Sequence, residues 1–457
     1  MKAKKIMAMT MATLLVFGSL VSCGKTEESG DAGKGEGEAT EIYFLNFKPE
    51  IAEIYEDIAA DYEEETGVVV KVQTAAAGTY EQQLKSEIAK KDAPTIFQIN
   101  GPVGYQSWKD YCLDLSDTEL YGHLLEKGMA VTDGDGVYGI PYAVEGYGII
   151  YNDAIMQKYF ALDGAKAKSM DEINSYAKLK EVSEDMQAKK DELGITGVFA
   201  STSMKSGEQW RWQTHLANIP LYGEFSANTT SGSVLETGLA AKTIEFSNNA
   251  EFKNVFDLYT NNSVTEKGLL SNKSVDDSMA EFALGQCAMV QNGNWAWGQI
   301  SGVDGNTVKA EDIKFLPIYA GMADEANQGI CIGTENYFAI NSQVSEEKQE
   351  ESAKFINWLF SSETGKDYVT NKLGFIAPFD TFAENEKPAD PLSKEVLRWM
   401  GDSNITSVPW LFPAFPSETF KDDFGNALLE YLQGSKKWDD VTKVVVDSWK
   451  TEVENKQ

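Results

Sequence analysis

The stretch Glu41–Gly101, EIYFLNFKPEIAEIYEDIAADYEEETGVVVKVQTAAAGTYEQQLKSEIAKKDAPTIFQING, decides the fold. Glu41–Leu45 is apolar and β-prone. Ile51, Ile54, Tyr55, Ile58, Ala59 and Tyr62 then recur at the three- and four-residue spacing that lines one face of a helix. Gly67 ends that helix, and Val68–Val72 follows as a β-branched strand. A second helix is expected from Tyr80 to about Lys90, then Pro94 and a strand over Thr95–Ile99. Strand, helix, strand, helix, strand at this pitch predicts parallel βαβ units. Such sheets bind ligands beyond the carboxyl ends of their strands. That rule alone singles out Asn46-Phe47-Lys48 and the segment from Gln98 through Asn100 to Gly101.

Outward from this stretch, Val137–Asn152 brackets Pro141 and Glu145 with two apolar strands. The middle of the chain, Ala154–Trp297, reads as mostly helical, with an aromatic knot at Gln209-Trp210-Arg211-Trp212. Ile313–Ile318 and Tyr337–Ile340 read as strands again, and Ala353, Phe355, Ile356, Leu359 and Phe360 form another helical face. A proline-rich loop over Pro409–Pro416 precedes two closing helices, Asp422–Leu432 and Val441–Val453. Strands early and late with helices between favour two α/β lobes joined by crossing segments over one continuous domain. No repeat of 20–50 residues is visible.

Ahead of the fold, Lys2, Lys4 and Lys5 precede an apolar run, Ile6–Leu20, that is short for a membrane span of about 20 residues. The run ends in Leu20-Val21-Ser22-Cys23. The segment 1–22 is thus expected to be a secretory signal. The tripeptide before Cys23 resembles a bacterial lipobox, which implies diacylglycerol on the Cys23 sulfur and anchoring outside the cytoplasmic membrane. Gly24–Thr40 contains no large apolar residue and is expected to act as a tether.

The formal net charge is −31, and an acidic surface of that size repels phosphate backbones and anionic headgroups. Nucleic acid is therefore not an expected partner. Cys112, Cys287 and Cys331 are too few and too widely spaced for a disulfide scaffold; they read as mostly reduced core residues, with one disulfide open. With only His123 and His215 and no Cys-x-x-Cys, no zinc site is expected, and no cofactor is called for. Asp133-Gly134-Asp135-Gly136 lacks a third calcium ligand, Val137 standing in its place, and reads as a tight turn.

The chemistry on offer is aromatic rings beside carboxylates and amides: Glu208, Trp210 and Arg211; Asn292, Asn294, Trp295 and Trp297; Tyr142, Glu145 and Tyr147. Sugars present apolar C–H faces, which rings cover, and hydroxyls, which Glu, Asp, Asn and Gln bond. A nucleophilic hydrolase is not supported, because no Gly-x-Ser-x-Gly elbow or phosphate loop occurs. The match Gly134–Gly139 leads into a strand and reads as turn glycines. Four segments, PTIFQINGPVGYQSW (Pro94–Trp108), GIPYAVEGYGIIYN (Gly139–Asn152), FALGQCAMVQNGNWAW (Phe282–Trp297) and AKFINWLFSSETG (Ala353–Gly365), resemble extracellular solute-binding proteins. Those proteins deliver oligosaccharides to ABC importers, the maltodextrin-binding proteins among them, and the resemblance spans Glu41–Trp449.

The resemblance implies a two-lobed, periplasmic-binding-protein-like α/β fold with a hinge and an interlobe cleft. It places lobe 1 at 41–144 plus about 335–380, and lobe 2 at about 148–330 plus 385–457. It implies a monomer that closes on a carbohydrate and hands it to permease subunits, held at the membrane through lipid on Cys23 as in Gram-positive bacteria. Glu145 matches the hinge-proximal carboxylate that bonds sugar hydroxyls, and Trp295 the ring that stacks on a pyranose; Trp297 then faces the core. Glu208 and Trp210 match a Glu-x-aromatic pair on the second lobe. Gln98 replaces an aromatic found in maltodextrin binders, which points to more polar recognition, with Asn100 just beyond it. Asn46 and Lys48 stand where the family places polar contacts, and Tyr142, Asn294 and Trp410 complete the candidate set. A short peptide or polyol as ligand, or a surface glycoside hydrolase with two carboxylates ~5–9.5 Å apart, are the alternatives. Phosphorylated ligands are disfavoured on the expectation that Arg211 and Lys48 lie apart.

Overall fold

A computed structural model of the chain describes residues 40–455 apart from 77, 324 and 384. The signal segment, the Cys23 lipid site and all of the tether but Thr40 lie outside the described residues. The chain begins as its periodicity predicts: β1 (Glu41–Asn46), a helix over Ala52–Thr66, β2 (Val69–Thr74), a helix over Tyr80–Glu87 and β3 (Ile96–Asn100). Tyr55, Ile58, Ala59 and Tyr62 form the buried face of the first helix. It stops at Gly67, whose φ of +77° is open to glycine without strain. β1 runs parallel to β2, pairing Ile42 with Val70, and parallel to β3 through Phe44 and Ile96. β4 (Val131–Asp133) and β5 (Gly136–Pro141) then form a tight hairpin over Gly134-Asp135, the turn expected there.

From β5 the chain passes to a second sheet with β6 (Glu145–Asn152). After a helical stretch come β7 (Met289–Gly293), β8 (Ile313–Leu316) and β9 (Gln328–Gly333). β10 (Asn336–Ile340) returns to the first sheet, antiparallel to β3 with Phe338 opposite Gln98. β11 (Thr406–Pro409) ends back in the second, parallel to β9. The orders are β2-β1-β3-β10-β5-β4 and β11-β9-β6-β7, with β8 also on β6. Each sheet has its own apolar core on either face, built by Phe44, Phe338 and Phe355 in the first and by Ile149, Phe199 and Phe252 in the second. The chain is a two-lobed α/β protein.

Among the described residues the path passes from one sheet to the other three times, at 142–144, at 334–335 and between β10 and β11. The crossings are tied to one another. Glu145 pairs with Gly333 across β6 and β9, and the Val144 N–H donates to the Ile376 carbonyl at 2.8 Å.

The middle of the chain departs from the helical expectation at β7, and β9 and β11 were also illegible in sequence. Met289-Val290-Gln291-Asn292-Gly293 mixes apolar and amide residues, yet all five are buried. The antiparallel ladder with β6, Tyr147–Tyr151 against Gly293–Met289, rather than local pattern, makes them an edge strand, with one further bridge from Met289 to Phe199. Cys112, Cys287 and Cys331 are buried free thiols, and burial pushes Cys112 and Cys331 up to about 12.

Candidate functional site

The loop after β1 and the start of β6 meet at the crossing. Lys48 Nζ donates to Glu145 Oε1 at 2.7 Å, both side chains buried, and Glu50 lies 3.8 Å away. Burial works against the Lys48 charge, but Glu145 and Glu50 outweigh it and hold the ammonium above its ordinary pKa. This ion pair sits against the Trp295 ring. Lys48 Nζ is 5.5 Å and Arg211 Cζ 5.4 Å from the ring centroid, within cation–π range. Trp410 meets the same ring edge-on at 6.3 Å, and the His215 ring lies at 5.6 Å. Two glycines make the arrangement possible. A Cβ on Gly293 would fall 2.1 Å from the Trp295 ring, and one on Gly333 2.5 Å from Trp410 Cγ.

Arg211 begins a π-helical turn, Arg211–Leu216, wedged between the aromatic residues of the second lobe. It is 7% exposed, its buried Nε has no partner, and its guanidinium forms no ion pair among the described residues. Burial lowers it to about 10, against the more distant pull of Glu50, Glu335 and Glu145. Burial, reinforced by Arg211, holds the His215 imidazole well below its usual range, so it is neutral. Burial likewise pushes the Glu335 carboxyl up to about 7, with Lys421 and Lys48 opposing and Glu145 adding. Asn100 Nδ2 donates to Glu335 Oε1 at 3.4 Å.

Buried polar atoms normally find partners. Here Gln98 Nε2, Asn100 Oδ1, Gln209 Nε2, Arg211 Nε, Gln213 Oε1, Gln291 Oε1, Asn336 Nδ2 and Trp410 Nε1 are buried and have none. They belong to strand ends and turns of both lobes that border the crossing. The first lobe presses on the second: Gly78 approaches the Gly207 backbone so closely that a Cβ would lie 2.6 Å from its carbonyl oxygen, and Gly101 packs on Pro413. Beside Asn100 a cavity of about 370 Å³ opens between the lobes, lined by Val103, Phe412, Pro413, Glu418 and Lys421. A polar, aromatic-walled cleft with unspent donors and acceptors suits a ligand rich in hydroxyls.

The sequence-named residues divide. Lys48, Glu145, Trp295 and Trp410 are brought together, and Gln98 and Asn100 border them with one amide atom each unpaired. Trp210, partly exposed, precedes Arg211. Asn46 is spent locally, its side chain bonded to Lys48 and Thr74. Asn294 is spent as well: its Oδ1 accepts from the Gly146 N–H and its Nδ2 donates to Ser393, tying the turn to β6. Glu208 pairs with Lys205 and accepts from the Val275 N–H at the start of the helix Val275–Ala283. The Tyr142 ring packs on Phe338 and Phe375 in the first core, and its unpartnered hydroxyl feels the Glu145 charge. Arg211 and Lys48, expected apart, share one ring. Glu335, Gln213, Gln291 and Asn336 were missed; only the position of Glu335-Asn336 before an expected strand gave any signal.

No curated protein sequence matches the chain. Solved structures do. A chitin oligosaccharide binding protein superposes with a TM-score of 0.70 at 18% identity, covering 92% of this chain and 100% of its own. Maltose-bound MalE3 of T. maritima gives 0.67 at 17%, covering 90% and 100%. A sugar transporter from Bacillus licheniformis in complex with stachyose gives 0.64 at 17%, covering 90% and 100%. At these identities the likeness is one of fold, and it agrees with the two lobes described above. The sequence itself carries the assignment further, for residues 57–395 match the family of bacterial extracellular solute-binding proteins. This chain belongs to that family.

Proposed function

We propose that the chain captures a carbohydrate outside the cell between its two lobes and hands it, without catalysis, to the permease of an ABC importer. The observations that carry the reading are the Trp295 ring beside the Lys48–Glu145 pair and Arg211, and the buried amides of both lobes that have no partners. A pyranose covers such a ring with its C–H face and satisfies the amides with its hydroxyls. Contacts to both lobes reward the closed arrangement, and only differential contact of that kind shifts an open–closed equilibrium. Structural relatives bound to maltose and stachyose support the same class of ligand. Glu145, Trp295, Trp410, Gln98 and Asn100 are the ligand contacts in this reading, with Lys48 holding Glu145.

The lobes are 41–144 plus about 335–380 and about 148–330 plus 385–457. The protein works as a monomer, tethered by lipid on Cys23 to the outer face of the cell membrane, and its acidic surface meets basic permease loops. A thermal-shift screen of the protein against saccharides tests the reading. A sugar at 100 times its dissociation constant is expected to stabilise by about 2.7 kcal/mol. Trp295→Ala or Glu145→Ala is expected to remove the shift. A shift produced by peptides or polyols and by no sugar would keep the family and discard the ligand class.

A further inference from the structure

Two buried cations face the Trp295 ring, and they are not equivalent. Lys48 is matched: Glu145 lies 2.7 Å from its Nζ and Glu50 3.8 Å. Arg211 is unmatched. Among the described residues no carboxylate reaches it within ion-pair distance and its Nε has no acceptor; the Trp295 ring centroid lies 5.4 Å from its Cζ. A guanidinium has five donors in a planar fork and does not shed its charge at neutral pH. Leaving one buried and unpaired is costly, and proteins retain such a group where something else completes it. Among the other unpartnered atoms, Gln98 Nε2, Gln209 Nε2, Asn336 Nδ2 and Trp410 Nε1 are donors and the amide oxygens of Asn100, Gln213 and Gln291 are acceptors, with His215 Nδ1 also unpartnered beside the ring, so the Arg211 fork tips the balance toward donors. A neutral hydroxyl both donates and accepts; a carboxylate only accepts, and it matches a site rich in donors.

We propose that the saccharide this site takes is acidic, a uronic acid or an oligosaccharide containing one, with its carboxylate on the Arg211 guanidinium and its ring on Trp295. The proposal rests on the carbohydrate reading and narrows it. The carboxylate supplies the missing counter-ion, so the bound complex holds two matched pairs, Lys48 with Glu145 and Arg211 with ligand.

Calorimetry on the full chain in detergent tests this with di- and trigalacturonate, their methyl esters, and neutral xylo-, malto- and galacto-oligosaccharides. The acids are expected to bind about 30-fold or more tightly than their methyl esters, the loss typical of a buried charge deprived of its partner. Arg211→Gln is expected to erase that preference, and Arg211→Lys to keep part of it. The ester comparison needs no variant, so it stands even if Arg211→Gln fails to fold. Neutral oligosaccharides binding as well as or better than the acids would overturn the acidic ligand and leave the carbohydrate reading intact. No binding by any saccharide, acid or neutral, would overturn both.

Discussion

Two buried charged groups in the second lobe, Glu281 and Arg211, are treated in opposite ways. Glu281, 6% exposed, accepts from the Ser201 N–H and hydroxyl at 2.8 Å each and pairs with Lys273 at 3.0 Å. Every strong partner a carboxylate wants is present, and the knot ties the turn at Ser201 to the helix Val275–Ala283. Arg211 is as well buried and has only a ring for company. The same cost of removing charge from water is met within the protein in one case and left unmet in the other. Burial alone therefore does not mark a functional group.

The largest effect is expected at Glu281→Ala, which strands the Ser201 donors and the Lys273 ammonium: a loss of ~3–5 kcal/mol in urea denaturation, with ligand affinity unchanged. A small loss there would mean the knot is not structural. Next comes pH. The Glu335 carboxyl is raised from 4.5 to about 7 in the folded chain, so the native state holds its proton more tightly than the unfolded one. That contribution is complete below pH 4.5 and is lost as pH rises through 7, a fall of ~1–3 kcal/mol after allowing for solvent screening. Denaturation at stepped pH is expected to show this slope in the wild type and not in Glu335→Gln. The smallest effect is expected at Arg211→Met. Removing an unmatched charge should leave ligand-free stability within ~1 kcal/mol of wild type, or raise it. A loss as large as that of Glu281→Ala would show that Arg211 is satisfied after all and erase the contrast.

The fold was legible where local pattern and tertiary structure agree. The helix expected from Ile51, Ile54, Tyr55, Ile58, Ala59 and Tyr62 is the helix Ala52–Thr66, because its apolar face is set by a period the sequence displays. β7 was not legible, since Gln291, Asn292 and Gly293 look like loop until β6 pairs with them. Part of the candidate site was reached by the rule that loops after parallel strands bind ligands, which pointed to Lys48, Gln98 and Asn100. The polar residues at Asn294 and Glu208 have the right chemistry but serve local structure, and no pattern in the chain distinguishes a spent amide from an unspent one. Gln213, Gln291 and Glu335 escaped notice for the matching reason: nothing local marks the face they present.

The sequence by itself determined the alternation of strand and helix, the acidic balance and the segments that carry the family likeness, because these depend on residue type and on neighbours a few positions away. Only the tertiary structure decided which polar atoms are left without partners. Lys48 finds Glu145 97 residues along the chain, and Gln291 finds the Arg211 carbonyl 80 residues back. Satisfaction of a buried group is a property of whatever the fold brings beside it, and in this protein those neighbours come from distant parts of the chain.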